Sequence, residues 1–404
     1  MDGAPINPIL DYIQKLPATK KGLPHGQPVC VLTSHTITTS EALVRLAAEL
    51  GPHIAVLQVQ ADIIDDWTQD TIDQLTFYSK KYGFILWEAS RVLNATVNFM
   101  GRATASKETR KVLAELIKRK YTNGPIRTAQ WSGLASSWAP GVPYDHQEKD
   151  LLIPTLRQAA RESVATTAKT IQTEISVDED RDTLEEEEVT MSPPTTNGWH
   201  EFSPDNLGYT LRKSSTISVT ESVTLQPHVE PEDGVPPPPL LARGMSLCLP
   251  CLTDTAFTTE FRQSTIAAAC ANSDFVVGFV TSEPFFPNYR GNSLLELAFE
   301  DGHGDTNTKG TNLLASSPYL EQQNTLALFS LVPPEIIHGY DTDPMHTLNG
   351  DSLQDQSPNI AKLHYLMDRA LKMRDTNRKE HGAVHGEAPP TGPTILQVPI
   401  VLIP

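Results

Sequence analysis

The chain has 404 residues, with 32 lysines and arginines against 49 aspartates and glutamates, a formal net charge of −17. That balance excludes non-specific attraction to nucleic acid or to anionic membrane surfaces. The length allows one large domain with insertions or two ordinary ones; 39% apolar residues suffice for a core, and 32 prolines place a sizeable fraction outside it.

Met1–Leu16 lacks a basic region followed by an apolar core, so a secretory leader is not expected there. No run approaches the roughly 20 apolar residues that span a bilayer. A soluble, cytoplasmic protein is the expectation. Gln27–Ser34 then reads as a strand. Ser40 is placed as the cap of a helix in which Leu43, Leu46, Ala47 and Leu50 share one face and Gly51 is the stop. His53–Val59 is the next strand, Thr68–Gly83 the next helix, and Phe84–Ala89 the third strand. Helical spacing resumes at Lys107–Lys120 and Leu151–Ser163. Such alternation implies parallel strands with helices packed outside.

From 165 to 243 the character changes. An acid block, Val177–Val189, precedes proline-rich sequence that ends in the tetraproline Pro236–Pro239. A segment of this composition buries too little apolar surface to offset its ordering entropy, so a disordered, solvated insertion is expected. The tetraproline favours stiff polyproline II and offers, as a sharper alternative, a docking site for a proline-binding domain. Alternation returns at Gly244–Leu252, Glu260–Ser273 and Phe275–Ser282, blurs after Glu283, and recovers at Leu326–Tyr340 and Asn359–Arg374. The expected organisation is 1–164 and 244–375 as two parts of one fold around the insertion. The tail, 376–404, ends in the apolar Thr394–Pro404, free to pack on the body or on a partner.

The cysteines are Cys30, Cys248, Cys251 and Cys270. Cys248 and Cys251 have CxxC spacing, but no second pair or histidine motif completes a tetrahedral zinc set. Buried structural thiols are the expectation. His303, His338 and His346 follow no metal-ligand spacing, so neither metal nor cofactor is expected.

Four stretches together resemble one family. Glu41–Ile64, Tyr78–Val92, Tyr121–Leu134 and Glu260–Val280 are similar, in order and spacing, to orotidine 5'-phosphate decarboxylases. The resemblance implies a (β/α)8 TIM barrel, a homodimer and a pyrimidine nucleotide ligand, and the insertion resembles that of filamentous-fungal members. It also implies a lysine ammonium, held by carboxylates, that stabilises a ring carbanion and then protonates it. The family patterns are K-x-H on the second strand and D-x-K-x-x-D on the third. Here the first reads Gln58-Val59-Gln60, with Asp62 retained beyond it. The second reads Ala89-Ser90-Arg91-Val92-Leu93-Asn94, with Glu88 before it. Both lysines and both carboxylates are replaced.

Arg91 is a poor substitute, because guanidinium stays protonated and delocalises its charge. Gln58, Gln60, Ala89, Arg91 and Asn94 therefore read as degenerate catalytic positions, with Asp62, Glu88 and Arg91 the surviving polar candidates. His35 also lies near a strand end. By the same resemblance, Lys309-Gly310 marks a phosphate turn whose contacts are now Ala315 and Ser317. Glu335–Tyr340 stands as a late strand, Tyr340 following Gly339 where an arginine is expected. Leu252 and Thr36 stand where a base-site serine and a ribose-binding aspartate are expected. Lys111, within a stretch that echoes the lysine motif, has helical periodicity and reads as a solvated helix face. Three functions follow: a pseudoenzyme, a lyase-type enzyme repurposed for another small molecule in fungal specialised metabolism, or a residually active decarboxylase of pyrimidine biosynthesis.

Overall fold

A computed structural model describes residues 7–89, 107–139, 142, 144–179, 234–249, 258–284, 326–333, 336–337, 357–382 and 395–403. They fall into two compact units, one of Met1–Thr166 with Val229–Pro404 and one of Thr167–His228. The second is described over 167–179 alone, in helical backbone. The acid block from 180 onward lies outside the described residues.

In the first unit eight parallel strands close into a barrel in chain order. They are β1 (Cys30–Thr33), β2 (Val56–Val59), β3 (Ile85–Glu88), β4 (Leu134–Trp138), β5 (Gly244–Cys248), β6 (Val276–Pro284), β7 (Leu326–Leu331) and β8 (Ile395–Ile403). The expected TIM barrel is therefore present. The tail is not a tail, however. Its apolar end is β8, which pairs with β7 and closes on β1 through Cys30↔Ile400 to Thr33↔Ile403. Parallel strands are buried on both faces and read as continuous apolar runs, which is why this segment carried no amphipathic signal.

The helices are α1 (Pro8–Thr19), α2 (Ser40–Leu50), α3 (Gln69–Tyr82), α4 (Lys107–Asn123), α5 (Thr128–Trp131), α6 (Leu152–Glu179), α7 (Thr259–Ala271) and α8 (Pro358–Gly382). Leu43, Leu46, Leu75, Leu363 and Leu366 of α2, α3 and α8 pack on the outward residues of β1, β2, β3 and β8. Ile117, Leu156 and Ile266 of α4, α6 and α7 cover β4 to β6. The lumen has its own core, in which α1 supplies Ile9, Leu10, Ile13 and Leu16 beside Cys30, Val56 and Ile85. Helix α1 thus plugs the N-terminal end of the barrel. Helix α2 is capped by Thr39, whose Oγ1 accepts from the Ala42 amide at 3.4 Å. Ser40, the expected cap, instead binds Asp66 through its amide, at 2.6 Å, and Thr71 through its hydroxyl, at 2.7 Å.

The tetraproline is not wholly solvated. Val235 and Pro238 are buried, and the Tyr12 hydroxyl donates to the Pro236 carbonyl at 2.8 Å. Gly83 ends α3 with φ of +64°, and a Cβ there would come within 2.4 Å of Val235. Arg243 fastens the far end of this strap by donating to the carbonyls of Ala129, at 2.9 Å, and Leu240, at 2.7 Å. The proline-rich strap thus lies on the barrel's N-terminal face, with Pro237, Leu240 and Leu241 exposed.

The same face carries a histidine pair. His53 Nδ1 lies 2.9 Å from the Gly22 carbonyl and 3.2 Å from His364 Nε2 on α8. His25 stands 3.6 Å from Asp368, which also pairs with Lys372, and the buried Lys20 ammonium lies close to His53. Burial first, then the charge of neighbouring His53 and His25, lowers His364 to about 4; burial chiefly lowers His53 as well. The free imidazole value is about 6.5, so above that pH the pair contributes its full stability. Below it the unfolded chain takes up protons that the fold refuses, and stability falls until about pH 4. Asp150, raised by burial to about 6, acts in the opposite sense over part of that range. We therefore expect His364→Asn to be less stable than wild type at pH 7 and the gap to close or reverse at pH 4.5. A gap unchanged with pH in chemical denaturation would contradict the assignment.

Candidate functional site

In a barrel of this kind the site lies at the C-terminal ends of the strands. Along β2, Leu57 and Val59 join the outer core while Val56 joins the lumen, so Gln58 faces inward. Along β3, Trp87 belongs to the lumen core, which sets Ala89 on the same side at the mouth. The Ala89 amide extends the ladder by donating to the Val59 carbonyl at 2.9 Å. Along β5, Met245 and Leu247 pack outward, and a Cβ on Gly244 would touch Val277 and Ile9 of the lumen. Ser246 and Cys248 hence face inward too.

Trp87 dominates this space. Its ring meets Phe329 with centroids 4.7 Å apart, and β3 and β7 are not neighbours, so the contact crosses the lumen. The indole Nε1–H donates to Ser136 Oγ on β4 at 2.8 Å. Ser136 in turn hydrogen-bonds the Cys248 thiol, yet burial prevails and pushes that thiol up to about 11. Burial also raises Cys30 well above its ordinary value. Neither thiol is a nucleophile near neutrality. Among the described residues the free cysteines are Cys30, Cys248 and Cys270; Cys251 lies outside them.

Of the other sequence candidates, Glu88, Asp62, Gln60, His35, Thr36 and Lys111 are described. Glu88 is fully buried, but the strand alternation turns it behind β3, where its amide donates to Ser132 Oγ at 3.3 Å. Asp62 is exposed in a 3-10 turn (Ala61–Ile63), and Gln60 is half-buried at its start. His35 and Thr36 are exposed beyond β1, with Thr36 Oγ1 3.1 Å from Ser34 Oγ. Lys111 is exposed on α4. Arg91, Asn94, Leu252, Lys309, Gly310, Ala315, Ser317, Gly339, Tyr340, His303, His338 and His346 lie outside the described residues.

The late strand assigned to Glu335–Tyr340 is corrected. Ile336 and Ile337 form a helical turn whose amides reach the Pro333 carbonyl, and the last strand is β8. Gly339 and Tyr340 themselves lie outside the described residues.

Within three residues beyond the C-terminal end of any barrel strand, no lysine or arginine stands among the described residues; Arg91, three beyond the end of β3, lies outside them. No group of three or more metal-ligating side chains occurs among them, and no described helix is long and apolar enough to cross a membrane. What the sequence reading missed is the lumen set of Trp87, Ser136, Ser246 and Cys248. Its signal was the alternation of Gly, Ser and Cys through β5, small polar residues where a barrel usually places branched apolar ones.

No family model matches the chain. Among curated proteins it is similar to orotidine 5'-phosphate decarboxylase of Penicillium nalgiovense, 29% identical over 112 residues, which are 28% of this chain and 34% of the relative. The enzyme of Magnusiomyces magnusii is 30% identical over 129 residues, 32% and 37% of the two chains. That of Yarrowia lipolytica is 29% identical over 130 residues, again 32% and 37%. The chain spans about a third of the length of the curated relatives it matches.

Proposed function

Proceeding from a chain that is a divergent relative of fungal orotidine 5'-phosphate decarboxylases, we propose that it is a pseudoenzyme: a decarboxylase-like barrel that no longer converts orotidylate to uridylate and serves as a scaffold, regulator or subunit. The observation that carries this reading is the mouth of the lumen. Gln58 and Ala89 face inward where the resemblance calls for a lysine and an aspartate.

A carbanion localised on a ring carbon needs an ammonium poised to neutralise it. Rate enhancements of that order ask for about 20 kcal/mol of barrier lowering, most of it from preorganised charge. Glutamine and alanine supply neither a formal charge nor a transferable proton near neutrality. Trp87, lying against Phe329, takes up lumen space in addition.

The test is complementation. Expressed in a uracil-requiring strain that lacks its own decarboxylase, the full chain should give no growth without uracil. Growth at a rate above the empty-vector control would remove the reading and favour a residually active decarboxylase.

A further inference from the structure

We infer that the proline strap on the barrel's N-terminal face is a docking site for a small protein domain that grips polyproline II in an uncharged, aromatic-lined groove. The inference is independent of the reading above, since the strap lies at the end of the barrel opposite the strand ends that would carry chemistry.

The backbone of residues 235–239 is neither helix, strand nor turn. Successive prolines hold φ near −65° and favour polyproline II, which has about three residues per turn and sets i and i+3 on one edge. Exposure along the strap follows that period. Val235 and Pro238 are buried, Pro236 and Pro239 are half-buried, and Pro237 and Leu240 are exposed. One edge therefore faces the barrel, a second faces outward, and the third lies between them. A groove that reads polyproline takes two edges and leaves the third free, so packing of one edge on the barrel does not preclude recognition.

The strap is also held in the form that such a groove binds. The Tyr12 hydroxyl fixes the Pro236 carbonyl at 2.8 Å, and the Ala242 amide closes a turn on the Pro239 carbonyl at 2.9 Å. Leu240 and Leu241 occupy the exposed centre of that turn, and Leu240 lines a cleft with Thr76, Trp131 and Pro239. A partner that grips the outer edges meets further apolar surface there. Preordering lowers the entropy that docking costs.

Charge selects among domains of this kind. No residue from 234 to 242 is charged, and the Arg243 guanidinium is held by the carbonyls of Ala129, Gln130 and Leu240. A domain that also requires a basic ligand residue finds the nearest one engaged. A neutral aromatic groove, of the WW kind, fits.

The experiment titrates a panel of fluorescently labelled WW domains with the full chain, with its Pro237→Ala variant and with a synthetic peptide of residues 234–243. At least one domain should bind the full chain, and more tightly than it binds the peptide, which must first be ordered. Pro237→Ala should weaken that binding about tenfold. Its unfolding temperature should stay close to that of the wild type, because Pro237 is exposed. SH3 domains that require an arginine should not bind. A panel in which no WW domain binds the full chain, a peptide that binds where the full chain does not, binding by the SH3 domains alone, or a variant that binds as the wild type does would overturn the inference. Growth without uracil would instead overturn the preceding reading, so the two failures are distinguishable.

Discussion

Replacing Trp87 by alanine should destabilise the protein by about 3–5 kcal/mol, the range for removing a large aromatic side chain from a packed core. Trp87 is fully buried, and its contacts join three strands, β3, β4 and β7. Its ring meets Phe329 of β7, and its indole N–H meets Ser136 of β4. Alanine leaves a void too enclosed to collapse, since the strands are fixed by their ladders, and deprives Ser136 Oγ of its donor. Trp87→Phe keeps most of the volume and loses the hydrogen bond, so its cost should be nearer 1–2 kcal/mol. Equilibrium denaturation with urea gives both values. A cost below about 1 kcal/mol for alanine would mean that Trp87 does not fill the lumen.

Lys20→Met should cost about 3 kcal/mol. The Lys20 ammonium is buried just beyond α1 and donates to three carbonyls: Gly51 at 2.7 Å, Ile54 at 2.5 Å and Gly83 at 3.0 Å. Gly51 and Gly83 follow the C-termini of α2 and α3, where unpaired carbonyls and the helix dipole both favour a cation. Each hydrogen bond from a charged donor contributes about 1.5–3 kcal/mol, and relief from burying the ammonium offsets part of the sum. Methionine is similar in length to lysine but caps nothing. The loss should persist in high salt, since the ammonium is shielded from counter-ions. A loss that vanishes in 1 M salt would indicate a surface role instead.

Much of this architecture was legible in the sequence, and the exceptions have physical causes. Strands β1 to β3 and the helices between them announced themselves because β/α alternation with helix stops at Gly51 and Gly83 is a local signal. Strand β4, Leu134–Trp138, carries Ser136 on its lumen side and the buried Ser137 on its outer side, so its periodicity is weak. Strand β8 reads as a tail in the sequence because the polar stretch before it separates it from α8, and only its pairing with β7 and β1 reveals its place. The Glu335–Tyr340 misassignment arose from an apolar dipeptide, Ile336-Ile337, that follows two prolines and turns helically instead of extending.

The site was legible in part. That Gln58, Gln60 and Ala89 stand where charged residues were expected follows from the sequence read against the resemblance. That His35 and Asp62 are exposed, and Glu88 lies behind its strand, does not. Strand alternation decides which of two neighbours enters the lumen, and a pair such as Trp87-Glu88 gives no hint of it until the register is known. The polar arc of Ser136, Ser246 and Cys248 escaped notice for the same reason. Each is unremarkable alone, and only closure of the barrel brings them together.

The most direct measurement is the absorbance change when purified full-length protein is mixed with orotidylate at neutral pH. A barrel that presents glutamine and alanine to the substrate's carboxylate should leave the spectrum unchanged over hours at micromolar protein. Progressive conversion to uridylate, abolished by heat and proportional to protein, would mean that a cation does reach the ring and that this chain is a decarboxylase after all.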